Sequence, residues 1–287
     1  MTGDQRLDYC VVTPSFAGDF ERCELLAESV QRWVSGAAHY VLVDAIDIPL
    51  FRSLERFGTK IVDSRDLLDV GFHRIPATRL WLSPRGRIIR GWMTQQLRKL
   101  SFASNAPSEN VLFVDSDVVF IRPFEPGSLS CEGKIPLFEI DHRTKESLGW
   151  ANQARGLFGL PQRANSMGYV HPTFWRRAVV KQMVAAIEQG SGRSWQETLA
   201  RLPTLSEYNL YGIFVREVIG LENAGVYPFN EPLMHTSWHH DLSNPAGVRA
   251  FFDSVEDRNV AVMVHSKDGV SVQNYVPLVH ALWNRSH

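Results

Sequence analysis

The sequence has few cysteines, almost no net charge and no long apolar run. Its three cysteines, Cys10, Cys23 and Cys131, show no metal-type spacing. So sparse and odd a set gives no disulfide framework and fits a reducing compartment. The formal net charge of −1 argues against a nucleic-acid binder, which would carry a strongly basic face. No apolar stretch approaches the ~20 residues of a membrane span, and peripheral membrane contact is left open. Met1–Asp8 is polar and lacks an apolar signal core. A soluble, cytoplasmic protein is expected. Gly-x-Gly-x-x-Gly is missing after the first apolar run, which argues against a dinucleotide-type pyrophosphate cradle.

What is present suffices for a large core. Hydrophobic residues make up 44% of 287, with 8 Trp, and this length suits one large domain or two small fused ones. The centre of the chain is Val111 to Phe124, V-L-F-V-D-S-D-V-V-F-I-R-P-F. Two apolar runs rich in β-branched and aromatic residues flank Asp115-Ser116-Asp117 and read as buried strands. Carboxylates between buried strands are costly unless something compensates them. A divalent cation does so, with one or two protein carboxylates and its remaining positions left to water and phosphate. Taken alone, the tripeptide reads as readily as a turn with Asx hydrogen bonds. Its place at a strand end in an α/β pattern selects the metal–phosphate reading, because ligands bind at the carboxyl ends of such strands.

Upstream, Tyr9–Thr13 reads as a strand and 14–19 as a loop. Phe20–Val34 reads as a helix with Asp19 at its N-cap. A nucleoside held around Thr13, Pro14 and Ser15 fits this opening, as does ordinary turn chemistry. Strands at Tyr40–Val43 and Lys60–Val62 follow, with a short helix at Leu50–Phe57. Asp44 and Asp47 read as loop residues. Arg65–Arg87 reads as a long irregular connection. A helix over Ile88–Ala103 carries one apolar stripe. Gln95, Arg98 and Lys99 lie off it or at its edge, either as a solvated face or reaching the nucleotide phosphates. The order β-α-β-α-β-α-β predicts a mostly parallel sheet with helices on both faces.

After Pro126 the pattern changes. The reading gives a strand at Ile135–Ile140 closing on Asp141-His142-Arg143 and helices at Gly149–Leu160 and Pro172–Glu188. Another helix follows at Ser206–Val218, with Ser206 as cap and Leu210, Ile213, Phe214 and Val218 buried. Glu207 falls in its first turn, where the helix dipole favours a carboxylate; the alternative is that it points into an acceptor cleft. His235 and His239 have i, i+4 spacing, but the flanking loops and the absence of a Glu-x-x pattern argue against zinc. A last strand at Val260–Val264 ends in His265-Ser266-Lys267. There an imidazole would ligate a metal and an ammonium would neutralise phosphate.

Together these features resemble the nucleotide-sugar glycosyltransferases of the A fold (GT-A). T-P-S-F near the start, Q-Q-L-R-K-L, L-F-V-D-S-D-V-V-F and S-E-Y-N-L-Y-G further resemble an uncharacterised bacterial family placed with those enzymes. The resemblance implies a single α/β domain with a nucleotide-binding half at 1–126 and an acceptor-binding half at 127–287. It implies Mn²⁺ or Mg²⁺ held by Asp115 and Asp117 with His265 completing the shell. Asp115, Ser116 and Lys267, with Thr13, Pro14, Ser15, Gln95 and Lys99, would then hold the donor. Families ending in His-x-Gly-x-x-Lys-Pro-Trp differ from this chain, in which Asp268-Gly269 follows Lys267 at once.

The expected reaction moves a sugar from a nucleotide-diphosphate donor to a saccharide or other hydroxyl acceptor. If it inverts, a carboxylate base is needed; Glu207 and Asp141 are the candidates, Glu207 leading because it lies among Tyr208 and Tyr211, suited to sugar stacking. One rival is a sugar-phosphate nucleotidyltransferase. It would want a Gly-rich basic loop after the first strand, whereas 14–19 holds one Gly and no Lys or Arg. The other is a non-catalytic nucleotide- or sugar-binding module.

Overall fold

The run Y-C-V-V-T-P forms a strand buried at every position, as a strand covered on both sheet faces must be. It belongs to a computed structural model that describes residues 7–76, 78, 80–141, 144–169 and 172–285. In chain order the strands are β1 (Tyr9–Pro14), β2 (Ala38–Val43), β3 (Lys60–Asp63), β4 (His73–Arg74), β5 (Leu80–Leu82), β6 (Ile88–Arg90), β7 (Asn110–Phe113), β8 (Val118–Phe120), β9 (Ile135–Ile140), β10 (Gly168–Tyr169), β11 (Thr173–Arg176), β12 (Val226–Phe229), β13 (Met234–Thr236) and β14 (Ala261–Met263). The central sheet is mostly parallel and accompanied by helices, as the sequence predicts. Two compact units divide the chain. One takes Met1–Val62, Phe113–Leu129 and Glu231–His287; the other takes Asp63–Leu112 and Ser130–Asn230.

In the first unit β1 and β2 pair in parallel, with Thr13 opposite Val41 and Pro14 opposite Leu42. β3 follows β2, and just past β7 the Val114 N–H donates to the Val12 carbonyl at 3.1 Å. Helix Phe20–Trp33 buries Cys23, Leu26, Ala27 and Val30, as its spacing predicts. Asp19 occupies its N-cap position, as predicted, but makes no side-chain cap hydrogen bond; its Oδ1 accepts from Arg22 Nη1 at 3.4 Å. A second sheet in the order β13-β14-β8 sets β14 antiparallel to β8. Helix Val272–Arg285 anchors there through Trp283 Nε1, which donates to the Phe120 carbonyl at 2.9 Å.

In the second unit β9 lies between β10, antiparallel, and β12, parallel. The stretch expected to be irregular, Arg65–Arg87, contains β4 and β5, which join β6 in an antiparallel sheet. Pairing with β5 takes Ile88–Arg90 out of the expected helix, which runs instead from Gly91 to Ser104. Ile88 is therefore exposed rather than part of a buried stripe. The β-formers Thr173, Phe174 and Trp175 likewise make a strand where a helix is expected, and the helix starts only at Arg177. The helix expected at Gly149–Leu160 spans Lys145–Leu157, because Thr144 caps it by accepting the Ser147 N–H at 3.2 Å. Beyond Ile213 the next helix widens into a π-helical stretch, Phe214–Ile219, which leaves Val218 exposed. His142 and Arg143 lie outside the described residues. Among those described, no helix is long and apolar enough to cross a membrane.

Candidate active site

β7 is buried throughout and delivers Asp115-Ser116-Asp117 from its carboxyl end. The Val118 N–H closes the turn on the Asp115 carbonyl at 3.2 Å. Ser116 is buried, while Asp115 and Asp117 keep partial exposure. The antiparallel pairing of β8 with β14 carries the chain past Asp117. The Val264 N–H donates to the Asp117 carbonyl at 3.0 Å and the Ser266 N–H to Asp117 Oδ2 at 3.3 Å. The Asp-x-Asp turn and the His265-Ser266-Lys267 loop are thus brought together within the first unit.

That loop is held by Ser237, which is 1% exposed. Ser237 Oγ accepts the His265 N–H at 3.0 Å and donates to Asp268 Oδ2. His265 Nδ1 accepts the Lys267 N–H at 3.3 Å. In the neutral ring this leaves Nε2–H as a donor. Burial lowers the His265 pKa, the Asp268 carboxylate opposing it, so the neutral form is favoured at pH 7. The exposed Trp238 ring lies 4.4 Å from the imidazole, centroid to centroid.

Among the described residues no group of three His, Cys, Asp or Glu side chains is arranged to hold a metal ion. The donor set that does fit a hard cation is the half-exposed carboxylate pair Asp115 and Asp117, with phosphate and water filling the other positions. His265 has its Nδ1 lone pair engaged by the Lys267 N–H, so Nε2 is the ring nitrogen left to meet a ligand.

The first strand's end behaves differently from expectation in one respect. Thr13 is fully buried, and its Oγ1 lies 3.0 Å from His39 Nε2; Thr59 Oγ1 lies 3.2 Å from Nδ1 of the same ring. The Thr13 side chain is therefore part of the core. Ser15 donates its N–H to the Leu42 carbonyl at 3.0 Å, and Pro14 closes the strand beside it. Asp47 is a loop-fixing residue: its Oδ2 accepts the Ala17 N–H at 3.0 Å. Sequence reasoning passed over Arg22, which donates through Nη2 to the Val270 carbonyl at 3.0 Å and so ties the first helix to the far end of the His-Ser-Lys loop. It also passed over Ser237. Neither had a local signal, since each bond closes between distant positions. Burial pushes the Cys23 thiol up to about 12, so that cysteine is an inert core residue.

The remaining candidates lie in the second unit. Ser206 caps its helix by accepting the Asn209 N–H at 3.3 Å, which sets Glu207 in the first turn. The Glu207 N–H donates to Gln96 Oε1 at 3.0 Å. Its carboxylate pairs with Lys99 Nζ at 2.9 Å, and Lys99 also donates to the Tyr208 hydroxyl at 2.7 Å. Lys99 and Glu207 are thus each other's partners. Arg98 stacks on Trp81 at 4.6 Å rather than lying on a solvated face, and Gln95 is half-buried. Asp141 sits elsewhere, on a cleft of about 430 Å³ together with Arg163, Asn165, Ser166 and Tyr169. In the first unit His235 stacks on Phe251 at 4.5 Å and, among the described residues, is not part of a metal cluster.

This is the fold of GT-A-like glycosyltransferases. The chain superposes on mouse xyloside xylosyltransferase 1 in its apo form with a TM-score of 0.50 and 10% identity, covering 92% of this chain and 99% of that one. It superposes equally, at 0.50 and 14% identity, on the galactosyltransferase LgtC in complex with donor and acceptor sugar analogues, covering 96% and 99%. At such identities the likeness establishes the fold alone. The chain belongs to the family described as "Family of unknown function (DUF6492)", which it matches over residues 7–287. No curated protein matches its sequence.

Proposed function

We propose that this chain is a metal-dependent glycosyltransferase that moves a sugar from a nucleotide-diphosphate donor to a hydroxyl acceptor. The observation that carries the proposal is the Ser266–Asp117 contact, which gathers Asp-x-Asp and His-Ser-Lys at a strand end in a glycosyltransferase fold. Asp115 and Asp117 would hold Mn²⁺ or Mg²⁺. When bound, the cation neutralises charge on the departing diphosphate. Lys267 adds positive charge to the same phosphates, and His265 donates a hydrogen bond to them. Of the stretch 13–15 expected to hold the donor's base, Thr13 and Pro14 are buried, which leaves Ser15 as the residue able to meet it. Of the two carboxylates considered as general base, Glu207 is buried against Lys99, whereas Asp141 lines a cleft.

The test is a panel of nucleotide sugars incubated with Mn²⁺, reading release of nucleoside diphosphate. Release from one donor, abolished by chelation and by Asp117→Asn, is expected. Release that survives both changes contradicts the metal site. Production of pyrophosphate from a nucleoside triphosphate and a sugar phosphate would assign the nucleotidyltransferase reaction instead.

A further inference from the structure

We infer that the outer face of the β4–β5–β6 sheet, with the arginines around its hairpin tip, is a docking surface for an anionic phospholipid bilayer. Every residue of it lies in the second unit, and it does not depend on glycosyl transfer.

The apolar part follows from strand alternation. Trp81 and Ile89 are buried on one face of the hairpin, which turns Leu80, Leu82, Ile88 and Arg90 to the other. Leu82 pairs directly with Ile88, and both are exposed, Ile88 to 59%. At the tip Gly71, with φ +104°, lets the turn before β4 close on Pro84: a Cβ there would fall 3.1 Å from Pro84 Cβ. That turn carries Val70, which is 99% exposed. Single exposed apolar side chains are ordinary. Here three stand at one end of one hairpin, beside a group of arginines.

The charged part is built on helix Trp195–Ala200. Arg85 Nε reaches Glu197 Oε1 at 2.9 Å, Arg201 Nη2 reaches the same oxygen at 3.1 Å, and Arg193 Nε stands 4.0 Å from it. Arg87 Nη1 donates to the Arg201 carbonyl at 2.6 Å. One carboxylate oxygen cannot satisfy three guanidinium groups that carry five N–H donors each. Two more acids are tied to this helix: Glu188 Oε1 accepts the Trp195 N–H, and the Asp69 N–H donates to Gln196 Oε1. With Arg90, five arginines stand against three carboxylates. A local surplus of two positive charges is thus gathered in a chain whose formal net charge is −1.

Guanidinium forks match phosphate oxygens bidentately, and the apolar side chains beside them can enter the boundary between headgroups and acyl chains. Stable attachment to a bilayer takes two such signals together. A nucleic acid would engage the arginines and leave Val70, Leu82 and Ile88 in water, so a lipid surface fits the whole patch better.

The experiment is flotation of the full chain with vesicles, made of phosphatidylcholine alone or of phosphatidylcholine mixed with phosphatidylglycerol. Binding to the mixed vesicles that weakens with added salt, and none to phosphatidylcholine alone, is expected. Arg85→Gln combined with Arg87→Gln should weaken it about twentyfold. Ile88→Thr, which keeps the β-branch a strand favours, should weaken it about fivefold. Both changes fall on exposed side chains, and each tests the surface without the other. Equal binding to both vesicles, binding to neither, or binding unchanged in both variants would overturn the inference. Capture by heparin but not by mixed vesicles would assign the arginines to a soluble polyanion and overturn it too. So would a dimer that Ile88→Thr abolishes in a chain that ignores vesicles, since the face would then belong to a second copy.

Discussion

The Lys99 ammonium stands 2.9 Å from Glu207 Oε1, and the two side chains are 3% and 6% exposed. Buried ion pairs are weak sources of net stability, but removing one partner strands the other charge. Lys99→Met should therefore lower unfolding free energy by about 3–5 kcal/mol. Pairing it with Glu207→Leu should restore most of that loss. Urea unfolding of the two variants checks this; a single variant as stable as the parent would mean that the pair is not formed.

Ser237 fixes the loop that carries His265 and Lys267. Ser237→Ala leaves the His265 N–H without its acceptor and the Asp268 carboxylate without a donor. Nucleoside diphosphate binding should weaken about tenfold, which corresponds to the desolvation of one such group. Calorimetric titration reads this, and binding equal to that of the parent would show that the loop orders itself without Ser237.

His39 gives the fold an acid limit. Burial holds its pKa at about 3, against 6.5 when unfolded. Above pH 6.5 the ring is neutral in both states and the contacts with Thr13 and Thr59 are intact. As the pH falls below 6.5, the unfolded chain takes up a proton that the folded chain refuses. Stability then drops by about 1.4 kcal/mol per pH unit until the folded ring protonates near pH 3. His39→Gln should flatten this part of the profile relative to the parent, as read by urea unfolding at pH 7 and pH 4.5. Parallel profiles would contradict it.

Gly212 is glycine because the Tyr169 ring occupies the space of a side chain. Gly212→Ala should cost about 1–3 kcal/mol through overpacking. Unfolding in urea reads this, and a variant as stable as the parent would contradict it. Gly149→Ala, with nothing within 4 Å of the added carbon and an exposed place inside helix Lys145–Leu157, is the contrast: it should raise stability by about 0.5–1 kcal/mol.

The local pattern carried much of this into the sequence. β1, helix Phe20–Trp33 and the strand ending in Asp115 are short-range signals, and apolar spacing suffices to find them. The Asp-x-Asp turn was legible for the same reason. Ile88–Arg90 was not, because its strand character comes from pairing with β5. The roles of Lys99 and Thr13 were not legible either. Lys99 finds Tyr208 across 109 residues, and Thr13 finds His39 across 26. The Asp141 cleft draws on a strand end, two helices and a loop, and no motif marks it.

The proposal stands on a cation held between Asp115 and Asp117 gripping a nucleotide diphosphate. Calorimetric titration of each nucleoside diphosphate, with and without Mn²⁺, into the parent chain and Asp117→Asn tests it directly. One nucleotide binding only when Mn²⁺ is present, and only to the parent, is the predicted result. Equal affinity without the metal, or in Asp117→Asn, would contradict it.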